Sequence, residues 1–159
     1  MKVKIEIDES LQEEEVVIKA PSLNEKVQRI QEVIHDMSKS SKTMIFYKGQ
    51  VEYYLSLDDI LFFETSDHHI HAHTKNDMYQ IKYKLYELEE MLPGNFMRIS
   101  KSTILNVKKI YAIHKTISSP CLIEFEDTHK QVYVSRHYYK PLKIRLEEKN
   151  KELQKNEED

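Results

Sequence analysis

The sequence predicts a mostly β domain of the α+β class with helical segments at its two ends. Three observations carry this. From Met44 to Val134, short runs of apolar and β-branched residues recur with polar turns between them. Within that stretch one brief helical repeat appears, made by Leu85, Leu88, Met91 and Leu92. Longer helical spacing is confined to 22–37 and to Tyr138 onward.

The elements follow in order. Val3, Ile5 and Ile7 alternate with Lys2, Lys4 and Glu6, the period of a half-buried strand. A second strand is expected over Glu15–Ala20, ended by Pro21. Ser22, with Glu25 three residues on, offers a capping box. Leu23, Val27, Ile30, Val33, Ile34 and Met37 continue at helical spacing. Residues 1–43 thus read as a strand–strand–helix unit with a polar linker, too small to fold alone.

Met44–Lys48 and Val51–Leu55 flank Gly49-Gln50, a hairpin signal. Ile60–Thr65, Ile70–Thr74 and Met78–Tyr83 are further strands. A short inserted helix over Tyr86–Leu92 is stopped by Pro93-Gly94. Strands follow at Phe96–Ile99 and Ile110–His114, and the Lys-rich stretch between them is expected to be partly irregular. Leu122–Glu126 and Gln131–Val134 form a last hairpin. A C-terminal helix closes the domain near Leu146, and residues 147–159 read as an acidic, solvated helical tail.

Composition excludes several classes. Two glycines, Gly49 and Gly94, leave no P-loop or GxGxxG fingerprint. The longest apolar run, Ile60–Phe63, is far too short to span a bilayer. The N-terminus has no continuous apolar core, so no secretory signal is expected. One cysteine, Cys121, cannot form an internal disulfide, which points to a reducing cytoplasm. Cys121 after Pro120 reads as a buried or edge thiol, and no serine sits in a GxSxG elbow. Neither an enzyme nor a cofactor is expected.

The net charge of −3 is unevenly spread. Residues 44–146 carry 14 Lys or Arg against 12 Asp or Glu, hence +2, with seven of the eight histidines. Local potential, not net charge, governs binding to a polyanion, and +2 fits a small phosphate footprint.

Three motifs stand in order: Asp58-Asp59-Ile60-Leu61-Phe62-Phe63-Glu64, then Phe96-Met97-Arg98-Ile99-Ser100-Lys101-Ser102-Thr103-Ile104-Leu105-Asn106, then Val132-Tyr133-Val134-Ser135-Arg136. The middle one sets cations and hydroxyls between apolar anchors, a composition suited to phosphate and base contact. Together they resemble the LytTR family of bacterial regulators, over about Met44 to Leu146. The resemblance implies an elongated β-sheet domain that reads double-stranded DNA with loops, without a helix-turn-helix. It implies three contact sets. The first is His68 and His69, beside Asp67; the second is Ser100, Lys101 and Ser102; the third is Ser135, Arg136 and His137, its register leaving Arg136 and His137 both open. Arg98 is a further candidate, either on phosphate or in an ion pair with Glu64 or a neighbour. Asn106 reads as a turn former, and Lys108 and Lys109 as backbone contacts or solvated cations.

The resemblance also implies transcription regulation by a stand-alone member without a receiver domain. It implies two protomers on paired repeats, and control through a membrane-protein partner rather than a small-molecule substrate. Residues 1–43 either supply the dimer contact or pack on their own domain. Two other readings stand beside this one. His69, His71 and His73 share one strand face and could ligate zinc or copper, making a β-rich metal-binding protein or hydrolase. Alternatively the DNA face is degenerate, and the N-terminal unit or acidic tail binds a protein.

Overall fold

The computed structural model describes residues 2–11, 15–40, 44–115, 117 and 120–158. The chain divides into two units, Met1–His35 and Asp36–Asp159.

In the first unit the two expected strands, 2–7 and 15–20, do not form: the described residues before Glu25 carry no strand. Val3, Ile5 and Ile7 stand 81%, 85% and 87% exposed. Alternation marks a strand only where a sheet covers one face, and a two-stranded ribbon alone is marginal in water. Helix α1 spans Glu25–Ser40. Its cap is Asn24, not Ser22: Asn24 Oδ1 accepts from the Val27 N–H at 3.0 Å, filling one of the orphan donors of the first turn. Val27, Ile30 and Ile34 are half-buried, while Val33 and Met37 are exposed.

The second unit is built on a seven-stranded antiparallel sheet. Its strands are β1 (Phe46–Lys48), β2 (Val51–Tyr53), β3 (Phe62–Ser66), β4 (His69–His73), β5 (Met78–Ile81), β6 (Phe96–Arg98) and β7 (Thr103–Asn106), in the order β2-β1-β5-β4-β3-β7-β6. A second sheet, β10-β9-β8, comprises β8 (Ile110–His114), β9 (Cys121–Phe125) and β10 (Gln131–Val134). Helix α2 (Leu85–Met91) interrupts the large sheet, and α3 (Arg136–Glu158) follows the small one. Gly49 opens the β1–β2 turn at φ +57°, a conformation open to glycine without a Cβ penalty.

Strand alternation divides the large sheet into two faces. Phe46, Phe63, Ala72, Ile81 and Ile104 pack on one face with Leu85, Leu88 and Leu92 of the α2 segment. Phe62 and Leu105 point the other way, into a second core with Ile99, Ile123, Phe125, Val132, Val134 and Leu142. The large sheet is thus covered by a helix on one side and by the small sheet and α3 on the other.

The stretch between Ile99 and Ile110 is partly irregular, as expected, in the bend at 100–102 and the 3-10 turn Val107–Lys109, and it also holds strand β7, which was not expected. All four of the strand's residues are buried. Asn106 is 1% exposed. Its Nδ2 donates to the Ile60 carbonyl at 2.9 Å, and its Oδ1 accepts from Asn95 Nδ2 at 2.8 Å and the Lys108 N–H at 3.2 Å. The expected turn role holds, since Asn106 caps the 3-10 turn Val107–Lys109, and it doubles as a buried tie between β7 and the entry to β3. Asn106→Leu removes all three bonds and leaves the Ile60 carbonyl, Asn95 Nδ2 and the Lys108 N–H without this partner. Thermal or urea unfolding should show a loss of about 1–3 kcal/mol.

Candidate nucleic-acid interface

Antiparallel pairing sets the β3–β4 turn and the β6–β7 turn at the same end of the large sheet. Strand β3 runs toward Ser66, and β7 leaves from Thr103, paired with Glu64. The first turn is two residues long, Asp67-His68, between the paired Ser66 and His69. Both take positive φ, 51° and 64°, as a type I′ hairpin turn requires. This conformation costs a non-glycine residue roughly 1 kcal/mol, and it lifts the exposed His68 clear of the sheet edge. His68→Gly should therefore leave stability unchanged or raise it by a few tenths of a kcal/mol while lowering DNA affinity. A melting temperature several degrees lower would show instead that the imidazole supports the turn.

The second turn is Ser100-Lys101-Ser102, closed by the Ile99 N–H on the Thr103 carbonyl at 3.0 Å. Ser100 Oγ accepts from the Ser102 N–H at 3.2 Å. Arg98 is spent on this turn: its Nε donates to the Ser100 carbonyl at 2.8 Å, Nη2 donates to the Lys101 carbonyl, and Nη1 pairs with Glu89. Of the two roles open to Arg98 in the sequence, the structure places it in an ion pair, with Glu89 rather than Glu64. Lys101 sits exposed at the tip, and no described residue partners its ammonium.

Two main-chain hydrogen bonds bring the three sequence-predicted segments together. The Thr65 N–H donates to the Ser102 carbonyl at 2.8 Å, joining the first turn to the second. The Ser135 N–H donates to the Ile99 carbonyl at 2.9 Å, joining the second to the start of α3. The Ser135 carbonyl in turn accepts from the Tyr138 and Tyr139 N–H groups at 3.0 and 3.1 Å, opening the helix. Arg136 and His137 are exposed on its first turn, the His137 ring edge-on to Tyr138 with centroids 5.0 Å apart. His69 is exposed at the head of β4, its Nδ1 3.0 Å from Gln80 Nε2. Asp67 is the one carboxylate on these three turns. Lys108 and Lys109 lie at the opposite end of β7, away from this cluster.

Among the described residues no group of three or more His, Cys, Asp or Glu is placed to hold an ion. Successive same-face residues stand roughly 6–7 Å apart on a strand, and the His69 and His73 rings have other neighbours. His73 stacks on Phe62 with centroids 4.3 Å apart and sits 3.3 Å from Lys130 Nζ. His71 Nδ1 is buried without a hydrogen bond.

The family model for the LytTr DNA-binding domain matches residues 50–147. The chain belongs to the LytTR family. Two relatives are uncharacterized HTH-type transcriptional regulators of Staphylococcus aureus, from strain bovine RF122 / ET3-1 and strain NCTC 8325 / PS 47. Each is 34% identical over 149 residues, spanning 92% of this chain and 98% of the relative. The solved LytTr DNA-binding domain of a Bacillus cereus protein, described as a methyl-accepting/DNA response regulator, superposes with a TM-score of 0.58. It is 24% identical and covers 64% of this chain and 97% of that one. The fold is therefore the β-rich LytTR architecture. The relatives' names carry a helix-turn-helix label, yet among the described residues of this LytTR protein no two α-helices follow one another in the chain. No described helix is long and apolar enough to cross a membrane.

Proposed function

We propose that this LytTR protein binds duplex DNA in a sequence-specific way and regulates transcription, as a homodimer on paired repeats. The observation that carries the reading is the pair of main-chain bonds that gather the β3–β4 turn, the β6–β7 turn and the start of α3 at one end of the sheet. In this reading Lys101 and Arg136 neutralise phosphates or donate to guanine O6 and N7. His68, His69 and His137 donate to base or phosphate, and Ser100, Ser102 and Ser135 bridge to phosphate oxygens. Arg98 acts one step back, fixing the turn that carries Lys101.

Residues 44–146 form the DNA-binding domain, with 147–159 as an acidic tail. Residues 1–43 supply the dimer contact, for which Leu23 and Val33 offer exposed apolar surface at 69% and 53%. Cytoplasmic placement and control through a membrane-protein partner belong to the same reading, and no catalytic step does.

Selection from a random duplex library, followed by titration of the winner at two salt concentrations, tests it. Paired repeats about one helical turn apart, with a log–log salt slope of a few units, are the expected result. No enriched sequence would remove the reading.

A further inference from the structure

A cavity of about 310 Å³ opens beside the start of α3. Its walls come from Lys115 just past β8, Pro120, Cys121 of β9, Val134 of β10, and Arg136 and Tyr139 of α3. The Cys121 and Val134 floor is buried and apolar. The charged residues on the wall are both cations, and no carboxylate lines it among the described residues. Arg136 has no hydrogen-bond or ion-pair partner among the described residues. Lys115 lies 5.8 Å from the Tyr139 ring centroid. The Tyr139 hydroxyl holds the Lys115 pKa above its usual range, with smaller contributions from Cys121 and Glu147, so the ammonium stays charged.

A tetrahedral oxyanion seated there accepts from both cations. The Ser135 N–H on the Ile99 carbonyl ties the Arg136 side of this wall to the turn that presents Lys101.

We infer that this cavity is a phosphate site formed by Lys115 and Arg136, and that its occupant is a backbone phosphodiester of the bound duplex. The inference rests on the DNA-binding reading above and extends the contact surface to the small sheet, through a residue that none of the three motifs contains. A free phosphate group is the other source of the same chemistry.

The test compares the full chain with Lys115→Gln and Lys115→Arg on the selected duplex and on a scrambled one, across a salt series. Lys115→Gln should lower the log–log slope by about one and weaken both duplexes on the order of 10-fold. Lys115→Arg should restore the slope, since it keeps the charge. An unchanged slope in Lys115→Gln, on a duplex that the parent chain selects, overturns the inference and leaves the DNA-binding reading standing. If the parent chain selects no duplex, the reading itself fails. Inorganic phosphate that then shifts the Lys115 and Arg136 amide resonances in the parent but not in Lys115→Gln assigns the cavity to free phosphate and overturns the DNA assignment.

Discussion

Replacing Lys101 and Arg136 together by alanine should weaken specific duplex binding by on the order of 2–6 kcal/mol. Each cation is expected to contribute about 1–3 kcal/mol, and the two sit on separate turns, so their effects should come close to adding. The melting temperature should barely move. Both side chains are exposed, and neither has an internal partner among the described residues. Titration of the selected duplex with the single and double variants, with a melt of each, gives both numbers. A melting temperature that falls by many degrees would assign the two cations to the fold.

Stability should fall as the pH drops from about 6.5 to about 4, by on the order of 2–3 kcal/mol, through His73 alone. Burial against Phe62 pushes its pKa down from 6.5 to about 4, and the Lys130 ammonium and His71 push in the same direction. The sign follows directly. Between those two values the unfolded chain binds a proton that the folded chain refuses, so stability rises with pH across the window and is lost as pH falls. Asp77 and Glu124 behave differently. Their carboxyls are held low by Lys48 and His114 respectively, so their contributions persist until the pH nears their own lower range. Urea unfolding of the parent and of His73→Phe at several pH values separates these effects. Parallel profiles for the two proteins would mean that the imidazole is solvated in the folded state.

Where one face of a strand meets a core and the other meets water or a thinner layer, the sequence carries the pattern, and β4, β8 and β10 are legible. Strand β7 is not, because Ile104 enters one core and Leu105 the other. A strand buried on both faces loses its alternation, and Ser100 to Thr103 look like loop composition. The N-terminal segments fail for the opposite reason: Val3, Ile5 and Ile7 alternate, but no sheet stands beside them in the chain. The three motifs mark the turns, and pairing register explains why they converge. The bonds from Arg98 to main-chain carbonyls depend on a turn geometry that no spacing encodes. Lys115 comes to line the same cavity as Arg136 only through the order β10-β9-β8, so nothing in its own neighbourhood marks it. Lys130 reaches His73 across 57 positions of sequence, and this too is invisible before folding.

The bonds that hold the three turns together run between main-chain atoms, Thr65 to Ser102 and Ser135 to Ile99. Main-chain atoms are common to nearly every residue type. Side chains at 68, 101, 136 and 137 can therefore change with little effect on the distances between the points where they attach. On the proposed DNA-binding reading, sequence preference changes by exchanging a few tips on a fixed frame. Randomising those four positions should yield folded proteins at high frequency, with altered sequence preference among them.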